Sequence, residues 1–237
     1  MRKSLIYFVL SLAILNTACS NDKNDDNENS APVVGELYLA SPLDASTCEG
    51  VSTSSSKCEV TLNWEPISEN ESYVLTVTNL NTNKVVLIQN DIKTTSYKIV
   101  LEKKVPFSWK VSSRNKVTKK INYESPVWQF YASAGESVAN YAPFPASLIA
   151  PIQDKTVTAV DGKIVLKWAG ADTDGDSLKY TVYIDKVDGM QTPAAELTNI
   201  SATQASVNVS AGVYYWRVKS SDANSSSFSQ IVKFTVN

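Results

Sequence analysis

The sequence predicts an all-β protein of two tandem antiparallel β-sandwiches. Three observations carry this reading. Short apolar–polar alternations rich in Val, Ile, Tyr and Trp recur through residues 33–237, each bounded by Pro, Gly, Asn, Asp or Ser clusters, as half-buried strands should be. No stretch after residue 30 holds a convincing 3.6-residue apolar period. Four strand-like segments also occur twice, in the same order and at nearly constant spacing, which is the signature of an internal repeat. The chain has 237 residues, enough for two domains of about 100 residues each after an N-terminal leader.

The leader comes first. Arg2 and Lys3 precede an apolar run from Leu5 to Leu15, and small residues Thr17 and Ala18 close on Cys19. A basic start, a short apolar core and a small-residue end make a secretory signal peptide. The core is 11 residues long, against the roughly 20 a membrane-spanning helix needs. The segment resembles a bacterial lipobox, which implies a signal peptide over residues 1–18 and lipidation of Cys19. Residues 19–32 then hold the lipidated cysteine and a polar run with Asp22, Asp25, Asp26 and Glu28, too poor in apolar side chains to pack and therefore a flexible tether. Acidic residues directly after the cysteine resemble the surface-export signal of lipoproteins in the Bacteroidetes group. That resemblance implies an outer-membrane protein, lipid-anchored and exposed at the cell surface; a periplasm-facing lipoprotein is the alternative.

The first repeat, residues 33–133, holds Val60-Thr61-Leu62-Asn63-Trp64, Tyr73-Val74-Leu75-Thr76-Val77, Phe107-Ser108-Trp109-Lys110-Val111 and Trp128-Gln129-Phe130. Residues 134–142 shift toward small side chains and read as a linker. The second repeat, residues 143–237, answers with Ile164-Val165-Leu166-Lys167-Trp168, Tyr180-Thr181-Val182-Tyr183-Ile184, Tyr214-Tyr215-Trp216-Arg217-Val218 and Val232-Lys233-Phe234, at offsets of 104, 107, 107 and 104 residues. The Ser52–Ser56 and Ser225–Ser227 runs read as solvated loops.

These residues resemble the fibronectin type III domain. The resemblance rests on the tryptophan ending one strand (Trp64, Trp168), the tyrosine opening the next (Tyr73, Tyr180) and the Tyr214–Val218 pattern, and it covers nearly all of residues 33–237. It implies two immunoglobulin-like sandwiches. Tyr214 can supply the hydroxyl of a tyrosine corner, whereas Phe107 at the matching position cannot.

Composition excludes several functions. With no histidine, neither a Ser-His-Asp nor a Cys-His apparatus exists, and the usual proton shuttle near neutral pH is missing. A formal charge of −2 supplies no broad basic surface, so nucleic acid is not an expected partner. The acids are scattered, and no carboxylate pair sits in the apolar setting that separates pKa values for acid–base work. Alternation assigns all five tryptophans to the two cores, leaving none as a sugar-stacking platform. No enzymatic activity and no cofactor are expected.

Three candidate sites remain. Cys48 and Cys58, separated by nine residues in a Ser/Thr-rich loop, form an even pair once Cys19 carries lipid, and an exported protein would join them as a disulfide. Asp172-Thr173-Asp174-Gly175-Asp176 looks like a calcium loop, but Ser177 and Tyr183 stand where that register needs glycine and glutamate, so Asp172, Asp174 and Asp176 are weak candidates beside the plain reading of a turn. Finally, alternation turns Tyr183 outward on one strand and Tyr215, Arg217 and Lys219 outward on its neighbour, residue types enriched at interaction hot spots.

The combined expectation is a non-enzymatic, membrane-anchored surface lipoprotein acting as a binding or spacer module, with the membrane as one partner and a protein or glycan of the envelope as the other. The alternatives are a glycan-capture lipoprotein of a polysaccharide uptake system and an accessory subunit of an envelope hydrolase.

Overall fold

The computed structural model describes residues 35–67, 71–135 and 140–237. The signal peptide, Cys19 and the tether to residue 32 lie outside the described residues. Within them the chain is all-β, broken only by a 3-10 turn at Ala195–Leu197.

The first sandwich runs through β1 (Gly35–Glu36), β2 (Leu39–Ser41), β3 (Ser46–Glu49), β4 (Val51–Ser52), β5 (Lys57–Trp64), β6 (Glu71–Asn79), β7 (Lys84–Ile92), β8 (Ser96–Glu102), β9 (Pro106–Asn115), β10 (Ile121–Glu124) and β11 (Trp128–Ser133). In one sheet β9 lies between β6 and the consecutive strands β10 and β11, β7 extends the β6 edge, and β1 and β3 add in parallel to β10 and β11. In the facing sheet β5 pairs with β8 on one side and with β2 and β4 on the other.

The second sandwich uses β12 (Ser147–Ala150), β13 (Thr156–Val157), β14 (Lys163–Ala169), β15 (Lys179–Asp185), β16 (Gln204–Asn208), β17 (Gly212–Ser221), β18 (Ser226–Phe228) and β19 (Val232–Val236). Here β14 lies between β12 and β16, while β17 lies between β15 and β19, with β13 parallel to β19 and β18 alongside β17. Two facing antiparallel sheets with this connectivity make an immunoglobulin-like sandwich.

Alternation builds both cores. On β14, Ile164, Leu166 and Trp168 are buried while Lys163, Val165 and Lys167 are exposed; on β17, Tyr214, Trp216, Val218 and Ser220 are buried while Tyr215, Arg217, Lys219 and Ser221 are half-buried. Each fully buried apolar side chain contributes roughly 1.5–3 kcal/mol. The repeat extends to ring packing. Trp64 meets Tyr73 edge-on at 5.5 Å, and Trp168 meets Tyr180 edge-on at 5.7 Å. The tyrosine corner forms as the sequence suggests: the Tyr214 hydroxyl donates to Ser210 O and accepts from Ser210 N, both at 3.1 Å. Four tryptophans are buried, and Trp128 is half-buried, edge-on against Trp109.

Two features differ from the sequence reading. The last strand of each sandwich is split, into β10 and β11 and into β18 and β19. The Ser225–Ser227 run is therefore partly strand: β18 pairs with β17 and brings Phe228 opposite Lys219. The segment read as a linker also contributes to packing, because Tyr141 is buried and lies 4.7 Å from the Tyr131 ring, with Phe144 4.9 Å from the same ring. These three aromatics form an apolar cluster of their own, packed by Ala45, Leu80 and Ala171.

Candidate functional site

The outward face of the β15–β17 pair is the best candidate site, and register explains its composition. Tyr183 on β15 stands opposite Arg217 on β17, while Lys219, two residues further along, stands opposite Thr181 on one side and Phe228 of β18 on the other. The Arg217 guanidinium carbon lies 4.9 Å from the Tyr183 ring centroid and 4.4 Å from the Phe228 centroid, and those rings are 5.9 Å apart. Lys219 Nζ lies 5.8 Å from the Phe228 ring. Such contacts contribute about 0.5–1 kcal/mol each at exposed sites, and here they also hold the guanidinium in one orientation.

The structure thus brings together three of the four residues expected in the patch and exchanges the fourth. Tyr215 stands opposite Asp185 and Lys233, and the loop after β15 closes over it. Gly189, at φ +73° and buried, approaches so near Tyr215 and Ile231 that an added Cβ would sit 3.3 Å from Tyr215 Cβ and 3.1 Å from Ile231 Cγ2. That close approach at positive φ requires glycine. Phe228 takes the aromatic position instead. The signal that could have found it is the Ser226-x-Phe228 alternation after a tight turn.

Asp185 holds the covering loop. Its Oδ1 accepts from the N–H groups of Val187 (2.7 Å), Asp188 (2.8 Å) and Gly189 (3.0 Å), and its Oδ2 accepts from Gln191 N at 3.2 Å. Partial burial pushes this carboxyl up, but the donors from Gly189, Asp188, Val187 and Gln191 outweigh burial and hold it below its ordinary value of 3.8. The acid nearest the two cations in register is thereby occupied.

The Asp172–Asp176 turn commits two of its carboxylate oxygens to the chain, while Asp172 Oδ2 is buried without a hydrogen-bond partner. Asp172 Oδ1 accepts from Asp174 N (2.8 Å) and Asp176 N (3.3 Å), and Asp174 Oδ2 accepts from Tyr141 N at 2.6 Å. Burial pushes the Asp172 carboxyl up, against its backbone donors. Among the described residues no group of three or more Cys, Asp or Glu side chains could hold a metal ion.

The expected disulfide is not formed in this structure: Cys48 and Cys58 are free thiols. Cys48 lies on β3 and Cys58 on β5, in facing sheets. Burial, then the charges of Cys58 and Glu49, pushes the Cys48 thiol up to about 11, and burial raises Cys58 as well. Closing the pair is a two-electron oxidation that needs an external acceptor, and because protonated thiols are poor nucleophiles the raised pKa slows exchange with one.

No family model matches the chain, and no curated protein matches it. Among solved structures it is similar to the FN1–FN3 domains of chicken CNTN1, at 14% identity and a TM-score of 0.29 over 85% of this chain and 66% of that one. It is also similar to a two-domain fibronectin type III segment from chicken tenascin, at 14% identity and a TM-score of 0.26 over 85% of this chain and 97% of that one. The fold assignment stands on strand order and register and not on either likeness: the chain is an all-β protein of two tandem immunoglobulin-like sandwiches.

Proposed function

We propose that the chain is a non-enzymatic binding and spacer module, held at the outer membrane by a lipid on Cys19 and exposed at the cell surface. The observation that carries the binding role is the Tyr183–Arg217–Phe228–Lys219 patch: two cations and two rings on an outer sheet face, with no carboxylate paired to either cation among the described residues. Structural work inside the sandwiches is done by other side chains, and the chain carries no histidine for acid–base chemistry near neutral pH. The anchor is supported by the order of Arg2-Lys3, apolar run and Cys19, and by the acidic tether that follows.

Cys19→Ala tests the anchor. A single acyl-bearing residue is the attachment this reading provides, so the variant is expected in the soluble fraction while the wild type sediments with membranes. Equal membrane recovery of the two proteins would remove the lipoprotein reading.

A further inference from the structure

Arg217 is oriented but chemically unspent. The Tyr183 and Phe228 rings engage the flat guanidinium, and its remaining binding capacity is the fork of N–H donors in its own plane. Among the described residues the Arg217 side chain makes no hydrogen bond and no ion pair, and its Nε is buried without a partner. An unpartnered buried donor is costly, and a held guanidinium fork matches a carboxylate in two-point geometry. Lys219 adds a second positive charge on the same strand and face. Asp185, in register with the neighbouring Tyr215, is occupied by its own loop.

A second feature adjoins the first. Phe228 also walls an open groove of about 340 Å³ lined by Leu80, Tyr131, Ala142 and Pro145 together with the polar side chains of Asn81 and Ser226. The site therefore combines a guanidinium fork, an aromatic and apolar wall, and an amide and a hydroxyl. A pyranose ring has the complementary set: an apolar C–H face for the aromatic, hydroxyls for Asn81 and Ser226, and, if oxidised at C6, a carboxylate for Arg217. An acidic peptide fits less well. The patch lies on a sheet face whose backbone donors are committed to the ladder, so strand addition is closed to it. On a chain of net charge −2, the local positive charge attracts polyanions only weakly at long range, so selectivity falls to contact geometry.

We infer that the patch binds a hexuronate residue of an acidic polysaccharide, with Arg217 on the carboxylate and Phe228 beside the sugar ring. This rests on the binding-module reading but not on the lipid anchor.

The test is calorimetric titration of the full chain with trisaccharides of galacturonate, glucuronate and mannuronate, beside their methyl esters and penta-glutamate. At least one uronate is expected to bind saturably and its ester not. Arg217→Lys keeps the charge and loses the fork, and is expected to weaken binding about tenfold or more, with Lys219→Gln weakening it by a smaller factor. Circular dichroism and a cooperative melt establish that each variant is folded. The inference is overturned if no uronate binds the wild type, if ester and acid bind alike, if folded Arg217→Lys binds as wild type does, or if penta-glutamate binds more tightly than every uronate. Those failures would leave retention through Cys19 untouched, and soluble Cys19→Ala protein that binds a uronate would leave this site standing.

Discussion

Asp185 links local backbone chemistry to what the candidate site exposes. Its carboxylate gathers the N–H groups of the loop that covers Tyr215, and those donors lower its pKa despite partial burial. A carboxyl whose folded pKa is depressed contributes stability that is fully present above its unfolded value and is lost as pH falls through the folded one. Asp185→Asn keeps an acceptor oxygen without the charge, and is expected to cost about 1 kcal/mol near neutral pH. The difference from wild type should close as pH falls through the ordinary 3.8 and below. Urea midpoints of both proteins at neutral pH and at about pH 3 check this; an undiminished gap in acid would show that the charge is not the source. Tyr214 was readable in the sequence because a hydroxyl at that position has one structural use. Asp185 was not, because an aspartate at a strand end is compatible with many turns.

At the level of elements, both sandwiches repeat a device that the strand alignment did not reveal. Ser125 Oγ accepts from Val111 N at 2.9 Å where β10 gives way to β11, and Ser229 Oγ accepts from Val218 N at 2.9 Å where β18 gives way to β19. Each serine replaces a ladder bond that the break would leave open, which is why a split strand is tolerated beside a buried one. The break also positions Phe228. The cysteines belong to this scale too, since they sit on strands of facing sheets. In the oxidising compartment proposed for the chain, an external disulfide can accept two electrons and two protons as the Cys48–Cys58 bond forms. The intact protein is then expected to be two hydrogens lighter by mass spectrometry. Its melting temperature should fall on reduction, consistent with about 2.5–3 kcal/mol for so short a ring. Two titratable thiols in unreduced, exported protein would defeat the expectation.

For the molecule as a whole, the decisive contact is the cluster of Tyr131, Tyr141 and Phe144. Tyr131 comes from the last strand of the first sandwich, and its hydroxyl donates to Ala142 O at 2.9 Å. Phe144 N donates to Ala171 O at 2.9 Å, and Gln129 Nε2 donates to Ser147 Oγ at 3.0 Å. These bonds tie residues 140–147 to both sandwiches, so the junction is packed. Tyr131→Ala removes the ring on which the other two stack and is expected to cost about 3–5 kcal/mol. It should also speed proteolytic cleavage within residues 134–142, measured by limited proteolysis beside a thermal melt. Cleavage at the wild-type rate would mean that the cluster does not secure the junction.

The sequence by itself determined the fold class, the repeat and the core. Period-two alternation and the matched pairs Trp64/Trp168, Tyr73/Tyr180 and Phe107/Tyr214 are local signals, and burial on one face of a strand follows from them directly. It also placed Tyr183, Arg217 and Lys219 on one outward face, because parity along paired strands needs no more than the strand assignments. Only the tertiary structure decided that Phe228 and not Tyr215 completes the patch, that Asp185 is occupied, and that Tyr141 packs instead of merely linking. Each of these depends on where a chain segment outside the alternating pattern folds back onto a strand. Such contacts are set by turn conformation and by long-range register, which residue type and spacing along the chain do not encode on their own.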